Sequence, residues 1–246
     1  MYNFFIDEQN FNGDTAVITG DDFNHVKNVL RLKTGDNVLV SVNNFSHLAV
    51  IDKFSNDSVL LSIVEKNFQD TTLPIELYLF QGLPKSDKLE LIIQKAVELG
   101  TSNVIPVKTS RSITKIEQSK VVAKTLRWQK IAESAGKQCK LSFIPTVHEP
   151  LSFSDSLKMA QSLDLIILPY ENKNGMADTL KSLRSLKKGC KVGVFIGPEG
   201  GFSDEEIDLA VKSGANIVSL GKRILRTETA SITALSMLML YAEMKL

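Results

Sequence analysis

Residues 192–207 read VGVFIGPEGGFSDEEI, and this stretch decides the fold. An apolar run ends at Ile196, three glycines, a proline and a glutamate follow, and a helix opens near Ser203. Ser203 with Glu206 three residues on is a capping-box pattern, so the helix start is well marked. The glycine-rich loop therefore stands at the C-terminal end of a strand that leads into a helix, where open α/β sheets bind ligands. Asp204, Glu205 and Glu206 suit the helix dipole but would repel a phosphate at the same terminus. Neither GxxxxGK[ST] nor GxGxxG occurs here. A ligand that is neutral or cationic at this point fits better, and S-adenosylmethionine, an adenosine joined to a sulfonium, meets that description.

The same alternation extends outward. After Pro74, apolar runs at Ile75–Gln81, VIPV, SFIP, LDLIILP, KVGVFIG and IVSLG alternate with helical patterns at 116–135, 177–186, 204–213 and 228–243. A further helix places Leu89, Ile92, Ile93, Ala96 and Val97 on one face and stops at Gly100. This predicts a mainly parallel sheet with helices on both faces. Upstream, TAVI, NVLVSV, HLAVI and VLLSIVE are short β-rich runs separated by turn signals, with one helical pattern in DDFNHVKNVLRL (Phe23, Val26, Val29, Leu30). They predict a small barrel-like module over 1–71, followed by an α/β domain over 72–246, with the polar NFQDTTLP between them.

Bulk properties fit an ordinary globular protein. The 246 residues are 43% hydrophobic and 23% charged, and no run reaches the length of a membrane helix. The N-terminus lacks the basic and apolar regions of a signal peptide, so a reducing cytoplasm is expected. Cys139 and Cys190 form no CxxC pair and have no histidine at ligand spacing, so they read as free thiols, and no metal is expected. Net charge is +1, but residues 108–140 hold nine basic and two acidic groups, a local charge of +7. That surface suits an anionic partner, although a solvated helix face would look the same. The first 71 residues carry −5, so an electrostatic RNA clamp there is doubtful.

SLGKRILRTETASITALSML (219–238) adds a second strand-to-helix loop, with Thr227 a candidate N-cap and Leu220 and Leu225 candidates to press on an adenine ring. IGPEGGFSDEEI followed by LGKRILRTETA resembles the C-terminal motifs of SPOUT-class methyltransferases, and more narrowly the ribosomal RNA small subunit methyltransferase E family. KSDKLELIIQKAVELG (85–100), TSRS (109–112), RWQKIAESAGKQ (127–138) and HVKNVLRLKTGD (25–36) extend the resemblance over nearly the whole chain. The sequence departs from it at MYNFF, which lacks an early arginine, and at AGKQCK (135–140).

The resemblance implies a PUA-like N-terminal barrel, an α/β domain closed by a C-terminal trefoil knot, and a homodimer. It also implies methyl transfer from S-adenosylmethionine to N3 of a uridine in 16S ribosomal RNA. The cofactor residues map onto Leu168, Pro169, Ile196, Gly197, Pro198, Glu199, Gly200, Gly201, Leu220, Gly221, Ile224, Leu225, Arg226, Thr227 and Thr229. Arg226 is the candidate to stabilise a uracil anion, and Glu199 or Glu228 to accept a proton or balance the sulfonium; the bland role for either acid is binding loop amides. His25, Lys27, Arg31, Lys85, Lys88, Arg111, Lys120, Lys124 and Arg127 are candidate RNA contacts, with His25 also open to a structural role. Trp128 reads as core ahead of a stacking platform. Two other readings stay open: a non-catalytic RNA-binding assembly factor that keeps the knot, and a methyltransferase of another RNA position.

Overall fold

Alternation of apolar and polar residues builds the N-terminal unit. In the computed structural model, which describes residues 1–171 and 175–246, its strands are β1 (Asn3–Phe5), β2 (Thr15–Thr19), β3 (Asn37–Val42), β4 (Phe45–Phe54) and β5 (Ser58–Gln69). They form one sheet in the order β1-β3-β4-β5-β2, antiparallel except for β1 on β3. Phe4 of one edge strand and Ala16 and Ile18 of the other share a single core with Val38, Val40, Ile51 and Leu61. A sheet whose two edges bury side chains in the same core is curled, which gives the expected barrel-like module.

Helix α1 (Gly20–Asn24) continues as a wider turn over His25–Val29, where the Leu30 amide donates to the His25 carbonyl at 2.9 Å. The wider spacing rotates Val29 out to solvent, although a regular helix would bury it with Phe23 and Val26. Residues 136–144 group with this unit. Asn3 Nδ2 donates to the Leu141 carbonyl at 2.9 Å, and Lys137 pairs with Asp22 at 2.7 Å.

The second unit comprises 73–135 and 145–246. Its strands are β6 (Glu76–Gly82), β7 (Thr101–Lys108), β8 (Thr146–Val147), β9 (Leu151–Ser152), β10 (Leu165–Pro169), β11 (Lys191–Ile196) and β12 (Asn216–Val218). All pairings are parallel, in the order β12-β10-β11-β6-β7-β8, with β9 also on β7. The helices are α2 (Lys88–Glu98), α3 (Val121–Cys139), α4 (Phe153–Ala160), α5 (Ala177–Arg184), α6 (Asp204–Lys212) and α7 (Thr227–Lys245). Residues of α3 beyond Ala135 belong to the N-terminal unit.

Successive β6 side chains point to opposite faces of the sheet. Tyr78 and Phe80 pack with α4 and α6 residues, and Phe80 stacks on Phe195 of β11 with ring centroids 4.3 Å apart. Such a fully buried phenylalanine contributes about 1.5–3 kcal/mol. Gln81 lies on the face that meets α7, and α7 packs against α2 and β11. The sheet is therefore covered on both sides.

Local differences from the expected elements have physical causes. SFIP forms no strand; the pairing begins one residue after Pro145, which has no amide to donate. Helix α4 is too short for its apolar periodicity to mark it in the sequence, yet Ser152 caps it by accepting from the Asp155 amide. Helix α3 starts at Val121, after a tight turn over Gln118–Lys120, and runs past Ala135.

Candidate active site

The loops after β10, β11 and β12 leave the C-terminal edge of the parallel sheet and surround a cleft of about 390 Å³. Of the expected cofactor residues, all line it except Leu168, Gly200 and Thr229. Leu168 is fully buried beneath it. Lys88, Tyr170, Glu171, Phe202, Ser219, Lys222, Arg223 and Ala230 also line it. Lys222 and Arg223 stood inside the quoted motif LGKRILRTETA without an assigned role; Lys88 and Tyr170 lie far from it in sequence, and only the fold delivers them.

The first wall is the 197–202 loop. The capping box forms as expected: Ser203 Oγ accepts from the Glu206 amide and Glu206 Oε2 from the Ser203 amide. Glu206 also accepts from the Ser110 amide at 2.8 Å, which ties the TSRS segment to this helix start. Arg111 then donates to the Gly200 carbonyl at 3.2 Å. Within the loop the Gly201 amide closes a turn onto the Pro198 carbonyl, with Gly201 in the left-handed region at φ 66°. Gly82 at the end of β6 is needed for a different reason. A Cβ there would stand 2.6 Å from Pro198 Cδ and 2.7 Å from its backbone nitrogen.

Thr227 does not cap α7. That place falls to Arg226, which makes no side-chain cap bond. The Thr227 hydroxyl instead donates to the Gly197 carbonyl at 2.6 Å and accepts from Gln81 Nε2 at 2.9 Å. Ser231 donates to Gln81 Oε1 at 2.5 Å. Gln81 is completely buried, so this network holds β6, the 197–202 loop and the start of α7 together in a low-dielectric setting. No local pattern in the sequence announces Gln81.

The charges at the cleft are organised around Lys88. Its Nζ lies 3.0 Å from Glu199 Oε1 and 3.3 Å from Glu228 Oε2, the latter an ionic contact without hydrogen-bond geometry. Both Glu199 oxygens also accept from the Lys85 amide, at 3.2 and 3.3 Å. Burial alone would raise the Glu199 carboxyl, but its own amide, the Lys88 ammonium and the Lys85 amide hold it below the usual carboxylate range. The Lys88 ammonium donates to the Glu199 carboxylate, and this contact, opposed by desolvation and aided by Glu228, raises Lys88 above the usual ammonium value. Within this trio two carboxylates face one ammonium, a local charge of −1, while Lys222, Arg223 and Arg226 stand on the 220–226 side of the cleft; Glu228 Oε2 is buried without a hydrogen bond. With close-approaching glycines and no phosphate-anchoring loop, this donor set fits an adenosyl sulfonium.

The other sequence candidates are spread out. Arg226 is exposed at the cleft, two residues before Glu228 in the chain. Lys120 pairs with Glu117 and Arg127 with Glu90, while Lys124 lies over the Trp128 ring at 5.9 Å. Trp128 is core, 4% exposed. In the N-terminal unit, His25 and Lys27 sit on the wide turn, Lys27 stands over the Phe23 ring, and Arg31 adopts φ 52°. Among the described residues no cluster of three or more His, Cys, Asp or Glu is placed to hold a metal, and no helix is long and apolar enough to cross a membrane. Cys139 and Cys190 form no disulfide.

Comparison with known proteins agrees with this geometry. A family model described as an RNA methyltransferase domain matches residues 71–239, and one described as an RNA methyltransferase PUA domain matches 18–64. The chain is 36% identical over 243 residues to ribosomal RNA small subunit methyltransferase E of Bacillus subtilis, covering 96% of this chain and 95% of the relative. The protein of the same name from Mesomycoplasma hyopneumoniae is 29% identical, with 96% and 98% covered. The crystal structure of ribosomal RNA small subunit methyltransferase E from Neisseria gonorrhoeae bound to S-adenosyl methionine superposes with TM-score 0.81 at 26% identity, covering 96% of each chain.

Proposed function

The chain belongs to the ribosomal RNA small subunit methyltransferase E family, and we propose that it methylates N3 of a uridine in 16S ribosomal RNA with S-adenosylmethionine as donor. The observation that carries this reading is the cleft itself. Two glycine-bearing loops, from parallel strands β11 and β12 on either side of β10, enclose it, and at one side an ammonium is shared by two carboxylates.

When bound, S-adenosylmethionine supplies an electrophilic methyl group on its sulfonium sulfur. The chain's residues then have to position a uracil and manage one proton. N3 lies on the pairing edge, so the target base enters the cleft unpaired or extruded. The Arg226 guanidinium faces the uracil oxygens and stabilises the anion left when the N3 proton departs. Glu228 takes that proton. Glu199 is the less suitable acceptor because both of its oxygens already hold the Lys85 amide and one holds Lys88.

Residues 72–246 form the methyltransferase domain, with the SPOUT trefoil knot in its C-terminal part. Support comes from the parallel strand order, with β12 outside β10, and from α7 packing on β11. Residues 1–71 serve as a PUA-like RNA-binding domain, with His25, Lys27 and Arg31 toward the RNA. Lys85, Arg111, Lys120, Lys124 and Arg127 supply further contacts to rRNA within the small subunit. The protein acts in the cytoplasm as a homodimer; Leu240 and Met244 on α7 are 52% and 70% exposed, apolar surface for a second copy.

The test is transfer of labelled methyl from S-adenosylmethionine to unmodified small subunits, with nucleoside analysis. Label in 3-methyluridine is expected, and Arg226→Ala should lower the rate by roughly 10²–10³. Label in another nucleoside would discard the substrate; no label in subunits or free rRNA would point to a non-catalytic binder.

A further inference from the structure

Lys88 stood among the expected RNA contacts, and the fold places it at the cleft beside Glu199. It opens α2, and the preceding turn, with Ser86 at φ 54°, brings the Lys85 amide and the Lys88 ammonium onto the same Glu199 carboxylate. From there the ammonium also reaches Glu228, which belongs to α7 and follows directly on the second cofactor loop. One side chain thus joins the wall after β11 to the wall after β12. Lys88 is only 31% exposed at its side chain, and Glu228 18%.

We propose that Lys88 is a positioning residue for the cofactor: its ammonium clamps the 197–201 and 220–228 segments against each other in the geometry that binds S-adenosylmethionine. This rests on the reading that the cleft holds that cofactor. The physical basis is electrostatic. Two half-buried carboxylates lie within 3.0 and 3.3 Å of one point. Without the cation they repel, and the loops that carry them move apart. With it they leave one net negative charge for a sulfonium. The clamp needs charge at that place, so arginine should substitute for lysine, whereas methionine, which keeps an apolar stem, should not.

The experiment compares wild type, Lys88→Met and Lys88→Arg. Calorimetry should show S-adenosylmethionine bound about tenfold more weakly by Lys88→Met, equivalent to about 1.4 kcal/mol, and within about threefold of wild type by Lys88→Arg. In the cofactor-free protein, amide exchange in both 197–201 and 220–228 should rise together in Lys88→Met. The KM for small subunits should stay within about twofold, because an RNA-phosphate contact is not what is removed. An unchanged cofactor affinity with a raised subunit KM would overturn the proposal and return Lys88 to the RNA surface. Equal losses in both variants would also overturn it, since the charge would then not matter. Global loss of structure in Lys88→Met, seen by thermal melting, leaves Lys88→Arg against Lys88→Gln as the deciding pair. A wild-type protein that binds no S-adenosylmethionine would instead overturn the cofactor reading.

Discussion

The two loops that face each other across the cleft are built on opposite plans. The 197–202 loop is fixed at nearly every residue: Gly197 by Thr227, Glu199 by Lys85 and Lys88, Gly200 by Arg111, and its helix start by the capping box. The 220–226 loop is held chiefly at its ends. Thr179 on α5 bonds both the amide and the carbonyl of Ser219, and Thr227 closes the far end. Between them Lys222, Arg223, Ile224 and Arg226 are exposed, Ile224 at 82%. The rigid wall suits a small cofactor that must be held in one geometry; the open wall, with three cations, suits a larger anionic substrate that must arrive and leave.

Breaking the rigid wall should have the largest effect. Gly82→Ala pushes a Cβ into the Pro198 backbone, which cannot swing aside as a side-chain tip would. It should cost about 1–3 kcal/mol of stability and weaken S-adenosylmethionine binding, as denaturant titration and calorimetry would show. If both stay at wild-type values, the wall is less rigid than its contacts imply. Thr227→Val keeps the shape but leaves one Gln81 Nε2–H and the Gly197 carbonyl without the Thr227 hydroxyl, at about 1–3 kcal/mol for a buried unsatisfied group, while the other Gln81 N–H stays on the Gly82 carbonyl. Thr227→Ser should restore most of the melting temperature.

The open wall should respond differently. Lys222→Ala and Arg223→Ala should leave stability within about 0.5 kcal/mol and cofactor affinity unchanged. Each should lower the slope of log affinity for RNA against log salt by about 0.7 if it meets a single-stranded phosphate. A stability loss in these variants would erase the contrast between the walls. The smallest effect concerns pH. Glu199 has a depressed folded-state value, so its contribution is complete above the unfolded carboxylate range near 4.3 and is lost as pH falls through the lower folded value. Melting temperature between pH 6 and 3 should therefore fall slightly less for Glu199→Gln than for wild type.

Much of this site was legible in the chain. Both loops, the capping box at Ser203 and Glu206, and the parallel α/β architecture follow from local patterns: glycine spacing, apolar periodicity, and a serine three residues ahead of a glutamate. Such features depend on neighbours within a few residues, so the sequence displays them directly. Helix α4 and strand β1 were missed because short elements carry too few periods to register, and Val29 left its predicted face because one turn widened.

The composition and order of residues by themselves determined the element pattern, the acidic start to α6 that excludes a phosphate, and the motifs that mark the family. Tertiary structure alone decided which distant residues complete the site. Gln81 meets Thr227 across 146 positions, Lys85 meets Glu199 across 114, and residues 136–144 join the N-terminal unit. The reason is physical: a buried amide or a half-buried ammonium needs a partner wherever the fold supplies one, and chain separation places no constraint on where that is.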